Sequence, residues 1–245
     1  VAQKVTELLD KTSALEYFWE KAIDEGASSE VIRVILQSIE HSQLIYMLKY
    51  QDVIESTALH WCAHNKRSDV IQMILDNVSE EECYQLLSST DQCRWTPLYK
   101  SCIVRDTESV RAMLNHIDQD MPYSLLQMGD QFSYTPLHEA SRNGHAEVMK
   151  MIHESITQTQ WINLLQMNRF RRLTVLQTAA YCDKQSSIET IRESVSDEVW
   201  IELLSSSLPK RYHDVDRYQR AVSKIDELRT AARMKSALLI TDQSG

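Results

Sequence analysis

Apolar and small residues recur along this chain with a period of 39 residues. The period is clearest at four threonines, each followed two positions later by a leucine. The threonines are Thr57, Thr96, Thr135 and Thr174, and the leucines are Leu59, Leu98, Leu137 and Leu176. Self-similarity at a fixed period of this size indicates a repeat architecture, in which each repeat packs its apolar face against its neighbours.

A second apolar pattern begins fourteen residues after each threonine and has the spacing i, i+3, i+7 of one helix face. Its members are Ile71, Ile74 and Val78; Val110, Met113 and Ile117; Met149, Ile152 and Ile156; and Ile188, Ile191 and Val195. One period upstream, Ile32, Ile35 and Ile39 continue the stripe, although Phe18 stands where the threonine would be. Each unit is therefore predicted to contain a first helix at the threonine, a turn and a second helix.

A third segment follows in every unit and ends in a pair of leucines, as in SEEECYQLL and TQTQWINLL. Its first residue is Ser79, Asp118, Thr157 or Ser196, and these residue types cap helix N-termini well. The pattern predicts a short third helix that covers the gap between neighbouring units.

These patterns predict an all-α fold, with residues 1–245 forming a single repeat array. The units are expected at about 13–51, 52–90, 91–129, 130–168 and 169–208. Residues 209–241 form either a degenerate repeat or a long capping helix. VAQKVTELLD at the start fits the third segment of a preceding unit, and the final DQSG resembles Asp91-Gln92 and Asp130-Gln131. We therefore expect the chain to be a slice of a longer array.

Composition agrees with a soluble helical protein, because Gly and Pro occur only four times each and no apolar run approaches the roughly 18 residues of a membrane span. The net charge of −9 disfavours nucleic-acid and anionic-membrane binding, although residues 209–235 carry a local excess of positive charge. Five scattered cysteines predict free thiols in a reducing, cytoplasmic compartment.

The segment TPLHEASRNGHAEV, which begins at Thr135, resembles the ankyrin repeat. TALHWCA, TPLYKSC and TVLQTAA keep parts of the same motif in register, so the resemblance covers about residues 52–208. It implies a helical repeat solenoid with the first helices and loops on its concave side. The period of 39 exceeds the family's usual 33 or so. Gly144 alone is a glycine at the left-handed turn position, while Asn65-Lys66 stands there in the unit that begins with TALHWCA. The family's β-hairpin finger is therefore expected to be altered or absent.

The sequence gives little support for catalytic or metal-binding chemistry. His138 and His145 match structural positions of the resembled family, and Tyr99 and Gln177 replace the first of them in other units. No HExxH, GxSxG, GxGxxG or phosphate-loop motif occurs. Cys62 occupies a small, packed position rather than that of a nucleophile. The sequence predicts no enzyme, no cofactor and no metal site.

Binding residues are expected in the loops before the threonines and on the first helices, where the resemblance places partner contacts. The loop candidates are Trp95, Phe132, Tyr134, Phe170 and Arg171, and the helix candidates are Trp61, Lys100, Arg105, Glu139, Arg142 and Tyr181. Aromatic residues and arginine are enriched at binding hot spots. The alternative is that some of these aromatics pack against adjacent loops. The cluster at 169–172 could recognise an acidic segment or phosphate, or be a solvated loop.

The leading hypothesis is a non-catalytic scaffold that binds a protein or peptide partner on its concave or loop face. The alternative hypothesis is a regulatory or targeting arm of a larger enzyme, such as a kinase, or of an ion channel. An enzyme within these residues is a third interpretation, which lacks any supporting motif.

Overall fold

The computed structural model describes residues 22–23, 26–117, 121–168, 173–206, 208 and 214–243. In this part of the chain the regular structure is α-helical throughout, with no strand. Before the first complete unit lie α1 (Ser29–Ser38) and α2 (His41–Lys49). Four helix triplets follow: α3 (Ala58–His64), α4 (Ser68–Leu75) and α5 (Glu80–Ser88); α6 (Pro97–Val104), α7 (Thr107–Asn115) and α8 (Met121–Leu126); α9 (Pro136–Asn143), α10 (Ala146–Glu154) and α11 (Gln158–Gln166); and α12 (Val175–Tyr181), α13 (Gln185–Glu193) and α14 (Asp197–Ser205). The predicted order of first, second and short third helix is confirmed.

The first helices begin where the repeated threonines stand, because the threonine hydroxyl accepts an otherwise unpaired backbone N–H of the first turn. Thr96 Oγ1 accepts from the N–H of Tyr99 at 3.1 Å, and Thr174 Oγ1 accepts from that of Gln177 at 3.3 Å. Proline opens α6, where its fixed φ suits the first helical position. The repeated leucines two residues later are fully buried.

The second helices bury the predicted stripe, of which Ile71, Ile74 and Met113 are completely inaccessible. Each is separated from the first helix by a turn whose last residue is left-handed. These residues are Lys66, Arg105, Gly144 and Asp183, with φ between 55° and 77°. Asn65, which the sequence offered for that conformation, has φ −91° instead. The repeat geometry thus imposes a positive φ at one fixed position even where the side chain does not favour it.

The third helices are capped as predicted. Ser79 and Thr157 each form a capping box with the residue three positions on, and the Ser196 hydroxyl accepts the N–H of Val199 at 3.4 Å. Asp118, the fourth predicted cap, lies outside the described residues. The paired leucines at the ends of these helices are buried, as is Trp161, whose indole N–H donates to Ser194 Oγ at 2.9 Å. The third helix of each repeat therefore adds to the core.

The chain divides into two compact units, residues 1–136 and 137–245. In the first unit α3 packs on α6, α4 contacts both α1 and α7, and α5 contacts both α2 and α8. In the second unit α10 packs on α13 and α11 on α14.

The C-terminal segment is a single helix, α15 (Val215–Gln243), that packs on α12 and α14 through Ala221 and Ile225. No turn interrupts residues 215–243, which form one continuous helix. The choice between a degenerate repeat and a capping helix stays a prediction. Arg229 joins it to the end of α14 by donating to the carbonyl of Leu204.

Candidate functional site

Three loops of the first unit share one geometry, which starts at an aspartate. Asp52, Asp91 and Asp130 lie 39 residues apart, and each Oδ1 accepts two backbone N–H groups of its own loop at 2.8–2.9 Å. Two backbone hydrogen bonds close each loop, as between the Asp91 N–H and the Trp95 carbonyl at 3.0 Å. The aspartate carboxylate therefore fixes the backbone of each loop, in residues 52–56, 91–95 and 130–134.

Neighbouring loops are also joined to each other. The Gln92 N–H donates to the Ile54 carbonyl at 3.1 Å, and the Gln131 N–H donates to the Cys93 carbonyl at 3.3 Å. The Gln92 side-chain amide adds a bond to the Val53 carbonyl at 2.8 Å. These links hold the loops of the first unit in a fixed register.

The histidine of the repeated motif fastens the first helix to the loop of the next repeat. His60 Nδ1 accepts the Thr57 N–H at 3.1 Å, and its Nε2 donates to the Trp95 carbonyl at 2.8 Å. In the second unit His138 Nε2 contacts the carbonyls of Leu173 and Met167. Burial lowers the pKa of both histidines to about 4, so they are neutral hydrogen-bonding groups.

Other residue types perform the same task in the remaining repeats. Tyr99 donates its hydroxyl to Asp130 Oδ2 at 3.3 Å, and Gln177 donates its amide to the Ser206 carbonyl at 3.2 Å. The structural interpretation of His138 and its counterparts is therefore confirmed. Cys62 is completely buried, and that burial raises the pKa of its thiol, as expected for a packing residue.

Between α3, α6 and their loops lies a groove of about 370 Å³, which we call the tryptophan groove. Its lining includes Trp61, Trp95, Ile54, Ile103, Val104 and Lys100. All of these residues belong to the first unit.

Each predicted binding residue of the tryptophan groove is held by a specific contact. The Trp61 indole N–H donates to Asp52 Oδ2 at 2.8 Å, and the Trp95 ring stacks on Tyr99 with 5.6 Å between ring centroids. Lys100 Nζ lies 3.0 Å from Asp91 Oδ2 and donates to Ser56 Oγ at 3.0 Å. Rings fixed in this way lose little conformational entropy when a ligand covers them.

Lys100 differs from the sequence expectation of an exposed first-helix residue. Only 11% of its side chain is exposed, and the Asp91 side chain beside it is 6% exposed. This buried pair cancels charge within the groove, which leaves an apolar surface around it.

Glu139 is also not the exposed residue that the sequence predicted. It is 9% exposed, and its carboxylate accepts from Asn143 Nδ2 at 2.8 Å and lies 3.5 Å from Arg142 Nη1. A carboxylate with two internal partners is held within the repeat, which explains its burial.

The other predicted binding residues that the structure describes do not lie in the tryptophan groove. Arg105 is exposed at the left-handed turn after α6, and Phe132, 49% exposed, and Tyr134 belong to the loop at 130–134. Arg142 and Tyr181 line a different groove, in the second unit. Phe170 and Arg171, with the rest of the cluster at 169–172, lie outside the described residues.

The sequence interpretation missed the apolar residues that complete the tryptophan groove, Ile54, Ile103 and Val104, and the aspartate that holds Trp61. Val53 and Ile54 are large apolar residues left 83% and 45% exposed. A signal existed, because Asp52, Asp91 and Asp130 follow one another at intervals of 39 residues.

Within the part of the chain that the structure describes, no three histidine, cysteine or acidic side chains cluster closely enough to hold a metal ion. The same residues include no helix that is both long and apolar enough to cross a membrane. All five cysteines are free thiols, as predicted.

The repeated helix triplets define an all-α helical repeat protein. Comparison with protein families identifies the repeat: a family model described as "Ankyrin repeats (3 copies)" matches residues 77–160, and an ankyrin repeat model matches residues 55–81. The chain thus carries ankyrin repeats over residues 55–160, and such repeats imply a helical repeat solenoid. No curated protein matches the chain. Ankyrin repeats are generally protein–protein interaction modules and typically non-catalytic.

Proposed function

We propose that this chain is a non-catalytic scaffold that binds a segment of a partner protein in the tryptophan groove. The observation that carries the proposal is the groove itself, an apolar recess of about 370 Å³ into which two fixed tryptophans project. Trp61 and Trp95 come from different repeats, and both remain partly accessible. A concave apolar surface with rigid aromatic anchors is the usual form of a binding site.

The groove also favours a particular kind of segment. Among the described residues that line the groove, Lys100 is the one lysine or arginine, and it is already paired with Asp91. Attraction to a charged partner therefore contributes little to binding. Apolar side chains of the partner would cover Ile54, Ile103 and the indole rings. We therefore expect an extended segment with aliphatic or aromatic residues rather than an acidic one.

The test is a display screen in which short protein segments are selected for binding to the full chain. Enriched segments are then titrated calorimetrically against Trp95→Ala and Trp61→Ala. Each substitution is expected to weaken binding by about 2 kcal/mol, or roughly thirtyfold in Kd, because it removes a central anchor. Circular dichroism of each variant confirms that helical content is retained.

Tyr46→Ala is the matched control, because Tyr46 is a 54% exposed aromatic residue on α2, outside the groove. Its Kd should stay within about twofold of that of the unmodified chain. Segments that bind Trp95→Ala as tightly as the unmodified chain would place the binding surface elsewhere. The alternative of a regulatory or targeting arm stays a prediction.

A further inference from the structure

The second unit contains a groove of about 310 Å³ whose character is opposite to that of the tryptophan groove. Four cationic residues line it: Arg142, Lys184, Arg217 and Arg220. They come from the end of α9, the turn before α13 and the first turns of α15. Asn143, Tyr181, Cys182 and Asp183 complete the lining. We call this recess the basic groove.

The cations of the basic groove are only partly neutralised by the protein. Arg142 lies 3.5 Å from Glu139, and Arg217 lies 3.2 Å from Asp214; in both pairs the arginine side chain is more than half exposed. Within the described residues, neither Lys184 nor Arg220 forms an ion pair with a carboxylate. Four cations thus face Asp183 and the two pairing carboxylates, which leaves an excess of positive charge.

Cys182 lines the basic groove together with these cations. Burial raises the pKa of the Cys182 thiol, and Arg142, Arg217 and Lys184 each act in the opposite direction by favouring the thiolate. Cations from three separate elements therefore act on the same thiol group. The local charge contrasts with the chain as a whole, which carries −9.

The chemistry of the lining selects among anions. Guanidinium groups donate two parallel N–H bonds to phosphate or carboxylate oxygens, and a phosphate offers more acceptor oxygens and more charge than a carboxylate. Three guanidinium groups and one ammonium group around one recess suit the larger negative charge of a phosphate better than that of a carboxylate. A phosphate alone would fill only part of about 310 Å³, so the recess also accommodates the residue that carries it, beside the Tyr181 ring.

We propose that the basic groove binds a phosphorylated side chain of a peptide segment, with Arg217, Arg220 and Lys184 as the main phosphate ligands. Arg142 and Tyr181 form the border that contacts the flanking residues. This site is independent of the tryptophan groove and does not require the function proposed for it.

The probe is a fluorescein-labelled peptide mixture with a central phosphoserine between randomised positions, measured by anisotropy on the full chain at about 0.15 M salt. The same mixture with serine, and with glutamate, provides the comparison. The phosphoserine mixture is expected to bind at least about tenfold more tightly than either, because only phosphate satisfies several cationic donors at once.

Two substitutions test the ligands without disturbing the fold, since both residues lack a carboxylate partner among the described residues. Arg220→Ala and Lys184→Ala should each weaken phosphopeptide binding by about tenfold. Arg233→Ala is the matched control, because it removes the same charge from the same helix about 20 Å further along. It should change the affinity by less than about twofold.

Several results would overturn the proposal. Equal affinity for the phosphoserine and serine mixtures would show that the groove does not recognise phosphate. Equal affinity for the phosphoserine and glutamate mixtures would show that a carboxylate is sufficient. If Arg233→Ala weakened phosphopeptide binding as much as Arg220→Ala, binding would depend on the overall charge of the helix and not on the groove. Binding of inorganic phosphate that depends on Arg220, without binding of the phosphopeptide, would identify a free-phosphate site. Trp95→Ala should leave phosphopeptide binding unchanged, which separates this test from that of the tryptophan groove.

Discussion

At the scale of single residues, the position three places after each repeated threonine shows how one task can be met by different chemistry. His60, Tyr99, His138 and Gln177 each reach from a first helix to the loop or helix end that follows. What the fold requires there is a buried hydrogen-bond donor of suitable length. A titratable group at this position makes stability depend on pH.

The histidines give a prediction whose sign follows from their pKa values. The folded-state pKa of about 4 lies below the unfolded value of 6.5, so the unfolded chain takes up protons first as the pH falls. The stability that His138 contributes is therefore complete above about pH 6.5 and is lost as the pH falls towards 4. Between pH 7 and 4.5 the loss should be about 2–3 kcal/mol for this residue.

Urea unfolding of His138→Gln measures this contribution, because glutamine already fills the position at Gln177. The variant should fold at pH 7 and show a flatter pH profile than the unmodified chain. The reverse substitution, Gln177→His, should steepen the profile by a similar amount. Parallel profiles for all three proteins would contradict the assignment of this pH dependence to the repeated position.

At the scale of the element, the short third helix depends on its N-terminal cap. Ser79 and Glu82 exchange hydrogen bonds in a capping box, with the Glu82 carboxylate 2.9 Å from the Ser79 N–H. A nine-residue helix has little stability of its own, so it relies on such a cap and on its buried leucines.

Ser79→Ala should lower the free energy of unfolding by about 1 kcal/mol, because the backbone N–H of Glu82 loses the hydroxyl that accepts its hydrogen bond. The measurement is the urea midpoint at pH 7, with an unchanged m-value. Ser88→Ala at the other end of α5 is the control and should stay within about 0.5 kcal/mol of the unmodified chain. Equal losses from the two serines would show that the cap has no special role.

At the scale of the whole molecule, neighbouring repeats within a compact unit pack helix on helix, as α3 does on α6 in the first unit and α10 on α13 in the second. Stability of this kind is a sum of local terms. A cavity in one unit should therefore be felt most strongly by the helices around it.

Leu98→Ala in the first unit and Leu176→Ala in the second provide a matched pair, since both leucines are fully buried at the same repeat position. Each should cost about 2–5 kcal/mol. Amide hydrogen exchange should accelerate most in α3, α6 and α7 for the first variant, and in α12 and α13 for the second. Uniform acceleration along the chain in both variants would contradict local stabilisation.

The helices could be predicted from the sequence because their determinants are contiguous. The threonine caps, the i, i+3, i+7 stripe and the capped third segment all lie within a few turns of the helix they specify. The period of 39 repeats them, so each unit supports the interpretation of the next. Arg105 and Lys66 show where this logic stops, because a positive φ at these residues is required by the turn and not by the side chain.

The candidate site was only partly predictable for the same reason. Trp61 and Trp95 were recognised as residue types suited to binding, but only the packing of α3 on α6 shows that they share one groove. Glu139 was expected at the surface, yet contacts within its repeat bury it. The grouping of Arg142 and Tyr181 with Arg217 and Arg220 joins residues far apart in the sequence.

The sequence alone therefore determined the repeat, its three helices and their caps, because these depend on local spacing and on backbone groups that nearby side chains can satisfy. The tertiary structure decided which side chains meet, which are buried and where the two grooves lie. Those outcomes depend on how successive repeats pack, and packing brings together residues that no local pattern relates.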